Sequence, residues 1–371
     1  MTIGIIGLGA MGLGIAQVFA RAGHDVVATD ALPQARASAP ARLAAALGPR
    51  VAKGAMTGAE RDAVLARLRI VDSVTDLAAS ALVIEAVVEH LAAKQAVLSA
   101  LAPLLRTDAV LASNTSSLSI AAIAAGLDRP GQVLGLHFFN PAPAMKLVEL
   151  IPHAGTAPGA VARARALAES AGKTVITCAD RPGFVVNRCA RPFYGEALAL
   201  IEQGRSAAEV DAAMLAAGYK IGPLALIDLI GADINLAATA SLADAMAGHP
   251  RYHVFAALRA QVARGDLGRK TGRGFVFPAD ASPAPADAAA IALRIEAALI
   301  NEAAWLLAEG GTTAKAIDTA MMLGLNFPYG PFAALARHGR GAVLDILAGL
   351  ESASPPELRG RYLPAPGLAN P

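Results

Sequence analysis

The sequence predicts an α/β domain built on a parallel sheet, followed by all-α domains in which one helical unit occurs twice. Three observations point there. Between Ile3 and Ile176, short apolar runs alternate with glycine turns and helical patterns, as in successive βαβ units. From Phe184 onward strand runs vanish and helical periodicity takes over. That helical part then repeats. Glu196-Ala197-Leu198-Ala199-Leu200, Asp211, Ala213-Met214, Gly222-Pro223 and Gly231 return as Glu302-Ala303-Ala304-Trp305-Leu306, Asp318, Ala320-Met321, Gly330-Pro331 and Gly339. The offset grows only from 106 to 108 residues.

Ile3 to Ile6 reads as the first strand. Gly7-Leu8-Gly9-Ala10-Met11-Gly12 turns the chain into a helix carried by Ile15, Val18 and Phe19 and ended by Gly23. Val26 to Asp30 is the second strand. Further strands are expected at Ile70-Val71, Leu82 to Glu85, Val110 to Ala112, Val133 to Gly135 and Val175-Ile176. Helices such as Leu91 to Leu105 lie between them. Pro182-Gly183 marks the junction to the helical part. The expected domains are therefore 1–182 and 183–279, a linker 280–289 rich in Ala and Pro, a second helical domain 290–350, and a Pro-rich tail 351–371 that is extended or disordered. The second helical copy keeps its apolar pattern, including Trp305, Leu306, Met321 and Met322, but shows no counterpart of Pro182 to Arg188. It is expected to be structural and to pack on the first copy as an intrachain pseudo-dimer. A homodimer of whole chains is compatible with that packing.

Composition narrows the function classes. The 371 residues suffice for two or three full cores. With 32 basic and 30 acidic residues and no run of Lys/Arg, the chain carries no electrostatic footprint for a nucleic-acid partner. Hydrophobic residues make up 55 % but aromatics only 4 %, so alanine supplies much of the apolar content, as in a helix-rich protein. No stretch of about 18 apolar residues escapes a charge, Pro or Gly, so no membrane span is expected. The chain enters a strand at once, without a basic n-region or cleavage site. No signal peptide is expected, and the cytoplasm is the expected compartment. Cys178 and Cys189 make neither a disulfide framework nor a metal site and read as buried thiols.

The glycine pattern is the first functional signal. Gly7 would allow the tight turn, Gly9 the approach of backbone to a pyrophosphate, and Gly12 the packing of helix on strand. Its setting after a strand and before a helix makes it a Rossmann-type dinucleotide turn, with the pyrophosphate at the helix N-terminus. Asp30, ending the second strand, can accept both ribose hydroxyls of NAD and would repel a 2′-phosphate, so NAD is favoured; Arg36 is the residue that would favour NADP. Met11 and Asn114 are added as cofactor contacts.

The second signal is Gly135-Leu136-His137-Phe138-Phe139-Asn140-Pro141, followed by Lys146-Leu147-Val148-Glu149. It places a histidine and a carboxylate in one polar turn after an apolar run. A carboxylate on one ring nitrogen holds the tautomer and supports an imidazolium at the other. The remaining histidines, His24, His90, His153, His249, His253 and His338, read as surface or packing residues. Ser113-Asn114-Thr115-Ser116-Ser117 follows a strand and can both cap a helix and face a ligand. Asn187 stands at the domain junction, where clefts form. Arg259, Arg264 and Arg269 read as a solvated face.

The runs Ser113 to Leu118, His137 to Glu149 and Pro182 to Arg188, with their mutual spacing, resemble signatures of the L-3-hydroxyacyl-CoA dehydrogenases. By that resemblance the substrate is an acyl-CoA, His137 is the general base and Glu149 its orienting partner. Ser116 and Asn187 are polar contacts to substrate, and Glu89 and Lys94 match cofactor-domain positions near the nicotinamide end. The resemblance covers residues 3 to 235, and the repeat resembles a second C-terminal domain of the family. Two such copies resemble the dehydrogenase part of multifunctional β-oxidation proteins and longer bacterial enzymes of aromatic and dicarboxylate catabolism. The glycine turn also resembles that of the β-hydroxyacid dehydrogenases, which act on free acids with a catalytic lysine; here that lysine would have to be one such as Lys173. A non-catalytic NAD-binding protein is the third reading, and the set Ser116, His137, Glu149 and Asn187 speaks against it.

Overall fold

The computed structural model describes residues 1–279 and 282–369, in two compact units that divide between Phe184 and Val185. The first unit holds one eight-stranded sheet. In chain order its elements are β1 (Thr2–Ile6), α1 (Ala10–Arg21), β2 (Asp25–Thr29), α2 (Pro33–Ala52), α3 (Gly58–Ala66), β3 (Leu68–Ile70), β4 (Leu82–Glu85), α4 (Leu91–Leu101), β5 (Val110–Ser113), α5 (Ile120–Ala124), β6 (Val133–Phe138), β7 (Leu147–Pro152), α6 (Pro158–Ser170) and β8 (Thr174–Thr177). The spatial order is β3-β2-β1-β4-β5-β6-β7-β8.

The sheet is not wholly parallel, which corrects the sequence expectation. β1 to β6 run parallel, β7 runs antiparallel to β6, and β8 follows β7. The reason lies in the connection. A parallel return needs a crossover of a dozen or more residues. Only residues 139–146 join β6 to β7, and Pro141 and Pro143 keep them from forming a helix. The strand β7 was missing from the expectation altogether. Every residue of β6 is buried, as for a strand covered on both faces.

The second unit is helical: α7 (Val186–Cys189), α8 (Arg191–Glu202), α9 (Ala207–Ala216), α10 (Pro223–Ile230), α11 (Ala232–Ala245), α12 (Ala256–Ala263), α13 (Ala288–Ala308), α14 (Ala314–Leu325), α15 (Pro331–His338), α16 (Arg340–Ser352) and α17 (Pro366–Ala369). Among the described residues no single helix is long and apolar enough to cross a membrane. α13 is its centre, buried over most of its length and packed against α8, α9, α15, α16 and α17. Of the expected linker 280–289, Asp280 and Ala281 lie outside the described residues, and α13 already begins at Ala288.

The repeat explains itself at side-chain level. In the first copy Asp211 accepts the N–H groups of Leu224 and Ala225 and so caps α10; in the second, Asp318 accepts those of Phe332 and Ala333 and caps α15. A Cβ at Gly222 would lie 2.2 Å from the Asp211 carboxyl carbon, and one at Gly330 2.3 Å from that of Asp318. Hence each capping Asp is followed, 11 residues on in the first copy and 12 in the second, by Gly-Pro.

Two buried glutamates tie the copies together reciprocally. Glu302 on α13 accepts Arg188 Nε at 2.6 Å, Arg251 Nε at 2.9 Å and Tyr252 OH at 2.5 Å. Glu196 on α8 accepts Arg294 Nε at 3.1 Å, Arg361 Nε at 2.9 Å and Tyr362 OH at 3.1 Å. Arg188 also meets Glu309, and Arg294 meets Gln203. Burial opposes the Arg188 charge, but Glu309 and Glu302 hold its pKa above the ordinary arginine value. Arg294 thus occupies in the second copy the role of Arg188, a counterpart the sequence comparison missed; the position matching Asn187 at the same offset is Leu293.

The tail corrects a second expectation. Tyr362, Ala365 and Leu368 belong to a core with Ile300, Val343 and Leu347. Asn301 accepts the Ala365 N–H and donates to the Leu363 carbonyl, to which the Trp305 indole also donates. The tail is held by these buried partners and by Glu196, none of which leaves a local pattern; Asn370 and Pro371 lie outside the described residues. Glu302→Ala would remove the buried carboxylate that Arg188 Nε, Arg251 Nε and the Tyr252 hydroxyl share, leaving Arg188 only Glu309. It should lower unfolding stability by about 3–5 kcal/mol, read as a drop in the urea midpoint at constant slope; an unchanged midpoint would show that the network carries nothing.

Candidate active site

The glycine turn leaves β1 for α1. Gly7 has φ +97° and donates its N–H to the Thr29 carbonyl at 2.9 Å. A Cβ on Gly12 would lie 1.8 Å from the Gly7 carbonyl oxygen, so only glycine lets α1 sit on the turn. Gly9, the N-cap residue, faces open space and offers no side-chain cap. The first N–H groups of α1 are therefore presented without a protein anion, the arrangement a pyrophosphate fits. Asp30 accepts the N–H of Leu8 at 2.7 Å and of Leu32 at 2.8 Å, which aims its carboxylate at the turn and leaves lone pairs for hydroxyls. Arg36 is engaged, donating to the Asp30 carbonyl at 2.6 Å and to Asp72 at 3.1 Å. Arg42, which carries no motif, donates to the Leu8 carbonyl and braces the turn from α2.

The ends of β4 and β5 carry a buried acid network. Glu85, fully enclosed, accepts Lys94 Nζ at 2.8 Å, the Val87 N–H at 2.6 Å and the Ser113 hydroxyl at 2.7 Å. Lys94, 1 % exposed, also pairs with Glu89 at 3.1 Å. It thereby links the two acids Glu85 and Glu89. Glu89 gathers the following loop, accepting the Thr115 hydroxyl at 2.6 Å and the N–H groups of Ser116 and Ser117 at 3.0 and 3.2 Å. Burial alone would raise its pKa, but the Thr115 bond and Lys94 hold it below the ordinary carboxylate value. Asn114 accepts the Phe138 N–H at 2.8 Å, joining β5 to β6 beside His137. The capping hydroxyl is that of Ser119, with Asp180 accepting the N–H groups of Ile120 and Ala121; neither was singled out in the sequence.

His137 and Glu149 are not in one turn. They are direct partners across the antiparallel β6–β7 pair, where facing residues project their side chains to one side. His137 Nδ1 and Glu149 Oε2 lie 2.6 Å apart, with His137 7 % and Glu149 0 % exposed. Phe139 and Phe184 flank the imidazole with ring centroids at 4.5 and 6.0 Å. Glu149 so engages Nδ1 and makes Nε2 the working nitrogen. The connection between the strands is held from beneath by Lys173, whose ammonium donates to the carbonyls of Ala142 and Met145 at 2.6 and 2.7 Å. Burial first, and Arg21 second, lower its pKa to about 8. Lys173, the lysine the free-acid reading named, is engaged here as a clamp on this connection.

Asn187 lies on α7 in the second unit, its carbonyl accepting Arg191 Nε at 3.0 Å. His338 corrects the reading of the other histidines, for it too pairs with a buried carboxylate, Glu296, which the Tyr219 and Tyr329 hydroxyls share at 3.1 and 2.7 Å. A histidine–carboxylate pair alone does not mark a site. His137 differs in standing near the carboxyl end of a strand in the sheet whose β1 leads into the nucleotide turn.

The family model for the 3-hydroxyacyl-CoA dehydrogenase NAD-binding domain matches residues 2–181, and that for the C-terminal domain matches 183–277 and 291–367. The chain belongs to the 3-hydroxyacyl-CoA dehydrogenase family. It is similar to a 3-hydroxyadipyl-CoA dehydrogenase from Escherichia coli, 43 % identical over 275 residues, which are 74 % of this chain and 58 % of that protein. A 3-hydroxybutyryl-CoA dehydrogenase from Mycobacterium tuberculosis is 40 % identical over 278 residues, 74 % of this chain and 96 % of its own. The crystal structure of a 3-hydroxybutyryl-CoA dehydrogenase from E. coli K12 matches with a TM-score of 0.92 at 34 % identity, over 100 % of this chain and 97 % of that one.

Membership makes NAD the cofactor of this dehydrogenase, and the residues of the turn fit it. Asp30→Ala should weaken NAD binding roughly ten-fold, the size of one lost hydrogen bond to a charged group, and narrow the gap to NADP. Titration of both cofactors by fluorescence checks this; a wild-type enzyme that prefers NADPH would refute the placement of Asp30.

Proposed function

We propose that this dehydrogenase oxidises a short L-3-hydroxyacyl-CoA to the 3-oxoacyl-CoA, with His137 as general base. The 2.6 Å His137–Glu149 pair, at the end of a strand in the same sheet whose β1 leads into the glycine turn, carries the reading. NAD, when bound, accepts the hydride from C3. His137 Nε2 takes the C3 hydroxyl proton as that carbon becomes a carbonyl. Glu149 stabilises the imidazolium formed and keeps Nδ1 from competing. Ser116, whose N–H is anchored by Glu89, and Asn187 are the polar contacts to substrate. The reverse reaction returns the proton from His137 to the carbonyl oxygen. Gly7, Gly9, Met11, Gly12, Asp30, Glu89, Lys94 and Asn114 form the cofactor face. The two relatives act, by their names, on a four-carbon acyl group and on a six-carbon dicarboxylic one, which favours fatty-acid or aromatic and dicarboxylate catabolism; the cytoplasm is the compartment proposed with it.

We further propose that the two helical copies replace a pair of subunits within one chain. The crossed contacts of Glu196 and Glu302 support this, since each copy's glutamate is held by arginines and a tyrosine of the other. The loss of Asn187 at Leu293 supports a structural role for the second copy.

His137→Gln should fold and bind NAD yet turn over roughly 10²–10⁴-fold more slowly with 3-hydroxybutyryl-CoA; near wild-type turnover would overturn the assignment. The same assay with 3-hydroxyadipyl-CoA and free 3-hydroxybutyrate ranks the acyl groups, and preference for the free acid would sink the proposal. Truncation after residue 279 removes α13 and exposes the α8 face, so it should give aggregation or a new dimer and lost activity. A truncated chain that stays monomeric and fully active would refute the internal pair.

A further inference from the structure

One arginine in the interior of the second unit has no counter-charge. Around α8 and α13, Arg188 and Arg251 share Glu302, and Arg294 and Arg361 share Glu196. Arg191 on α8 is only 8 % exposed, and among the described residues no carboxylate pairs with it. Its Nε donates to the Asn187 carbonyl at 3.0 Å and its Nη1 to the Thr239 hydroxyl at 2.9 Å. A guanidinium has five N–H donors, so three are left over. Burial lowers the Arg191 pKa, and the group acting the other way is Tyr194, a phenol rather than an acid. A charge held in the interior without a partner is costly.

The space beside Arg191 is shaped for such a partner. A closed cavity of about 10 Å³ lies between α8, α11 and α12, with room for one water-sized occupant. Arg251, Arg361, Tyr194, Thr239 and His253 also line it, and no Asp or Glu does. Arg361 reaches it past Gly195, where a Cβ would lie 2.6 Å from Arg361 Nη2. The Tyr194 hydroxyl makes no hydrogen bond among the described residues. Burial first, and Arg361 second, lower the pKa of His253.

We infer that this cavity is a site for one small monovalent anion of the chloride class, held by the spare N–H groups of Arg191 and the hydroxyl of Tyr194. Water would accept those donors but leave the charge of Arg191 unanswered. A phosphate or an acyl carboxylate is too large for the space. Arg361 and Arg251 add attraction, because each gives only part of its charge to the glutamate it shares. Occupancy does not depend on which acyl group the enzyme oxidises.

The test is the thermal unfolding midpoint of the full chain in sodium chloride against sodium gluconate at equal ionic strength, gluconate being too large for the cavity. Arg191→Met keeps the length of the side chain and removes its charge. General effects of the two salts act on both chains alike, so the quantity read is the wild-type difference less that of Arg191→Met. Chloride should favour the wild type by about 2–4 °C, the shift from an anion present at several times its dissociation constant. Arg191→Lys should retain part of that shift. Bromide diffused into crystals of the wild-type chain should give an anomalous peak beside Arg191. The same salt difference in wild type and Arg191→Met overturns the inference. A cavity without an anomalous peak overturns it too and makes the occupant water. If Arg191→Met does not fold, the bromide peak decides.

Discussion

Glu149 is fully enclosed, and a carboxylate in that position is tolerable only with a partner that shares its charge or its proton. The antiparallel turn of β7 against β6 supplies that partner by setting His137 directly opposite. Much around the site serves this one pairing. The 139–146 connection is short enough to force the reversal, Lys173 pins it through two carbonyls, and Asn114 ties the end of β6 back to β5. A slip of one residue in this register would turn His137 to the other face of the sheet and leave Glu149 buried and unpaired.

The same rule organises the rest of the chain. Glu85 is enclosed and answered by Lys94, which leads to Glu89. Glu89 in turn holds the loop that carries Ser116, through the Thr115 hydroxyl and the Ser116 N–H. In the second unit Asp228 accepts the N–H groups of Phe275, Val276 and Phe277, while Glu196 and Glu302 each collect two arginines. Buried acids in this protein act as nodes to which loops and helices of distant sequence are tied. A pair of this kind adds little net stability over an apolar core, but removing one partner is costly, so the nodes specify one arrangement.

The duplication fits this view. Both copies keep the Asp cap before Gly-Pro, the arginine eight residues ahead of the core glutamate, and an Arg-Tyr dipeptide after it. What the second copy does not keep is Asn187. The architecture therefore separates residues that assemble the helical unit, present twice, from a residue at the proposed substrate face, present once.

Much of this was legible in the sequence, because the signals are local. The glycine turn demands glycine through backbone geometry that a few neighbouring residues define, and Asp30 sits at a fixed distance after it. The repeat is visible because identical caps recur at nearly constant offset, and His137 with Glu149 stands out as polar groups in an apolar run. Tertiary structure alone decided the rest. That Glu149 faces His137 across a strand pair depends on the direction of β7, which Leu147–Pro152 does not encode by itself. Lys94 between Glu85 and Glu89, Arg294 in the role of Arg188, and the ordered tail at Tyr362 depend on charges brought together from up to 166 residues away. Local periodicity reports which face of an element is apolar; it carries no information on which buried charge that face will meet.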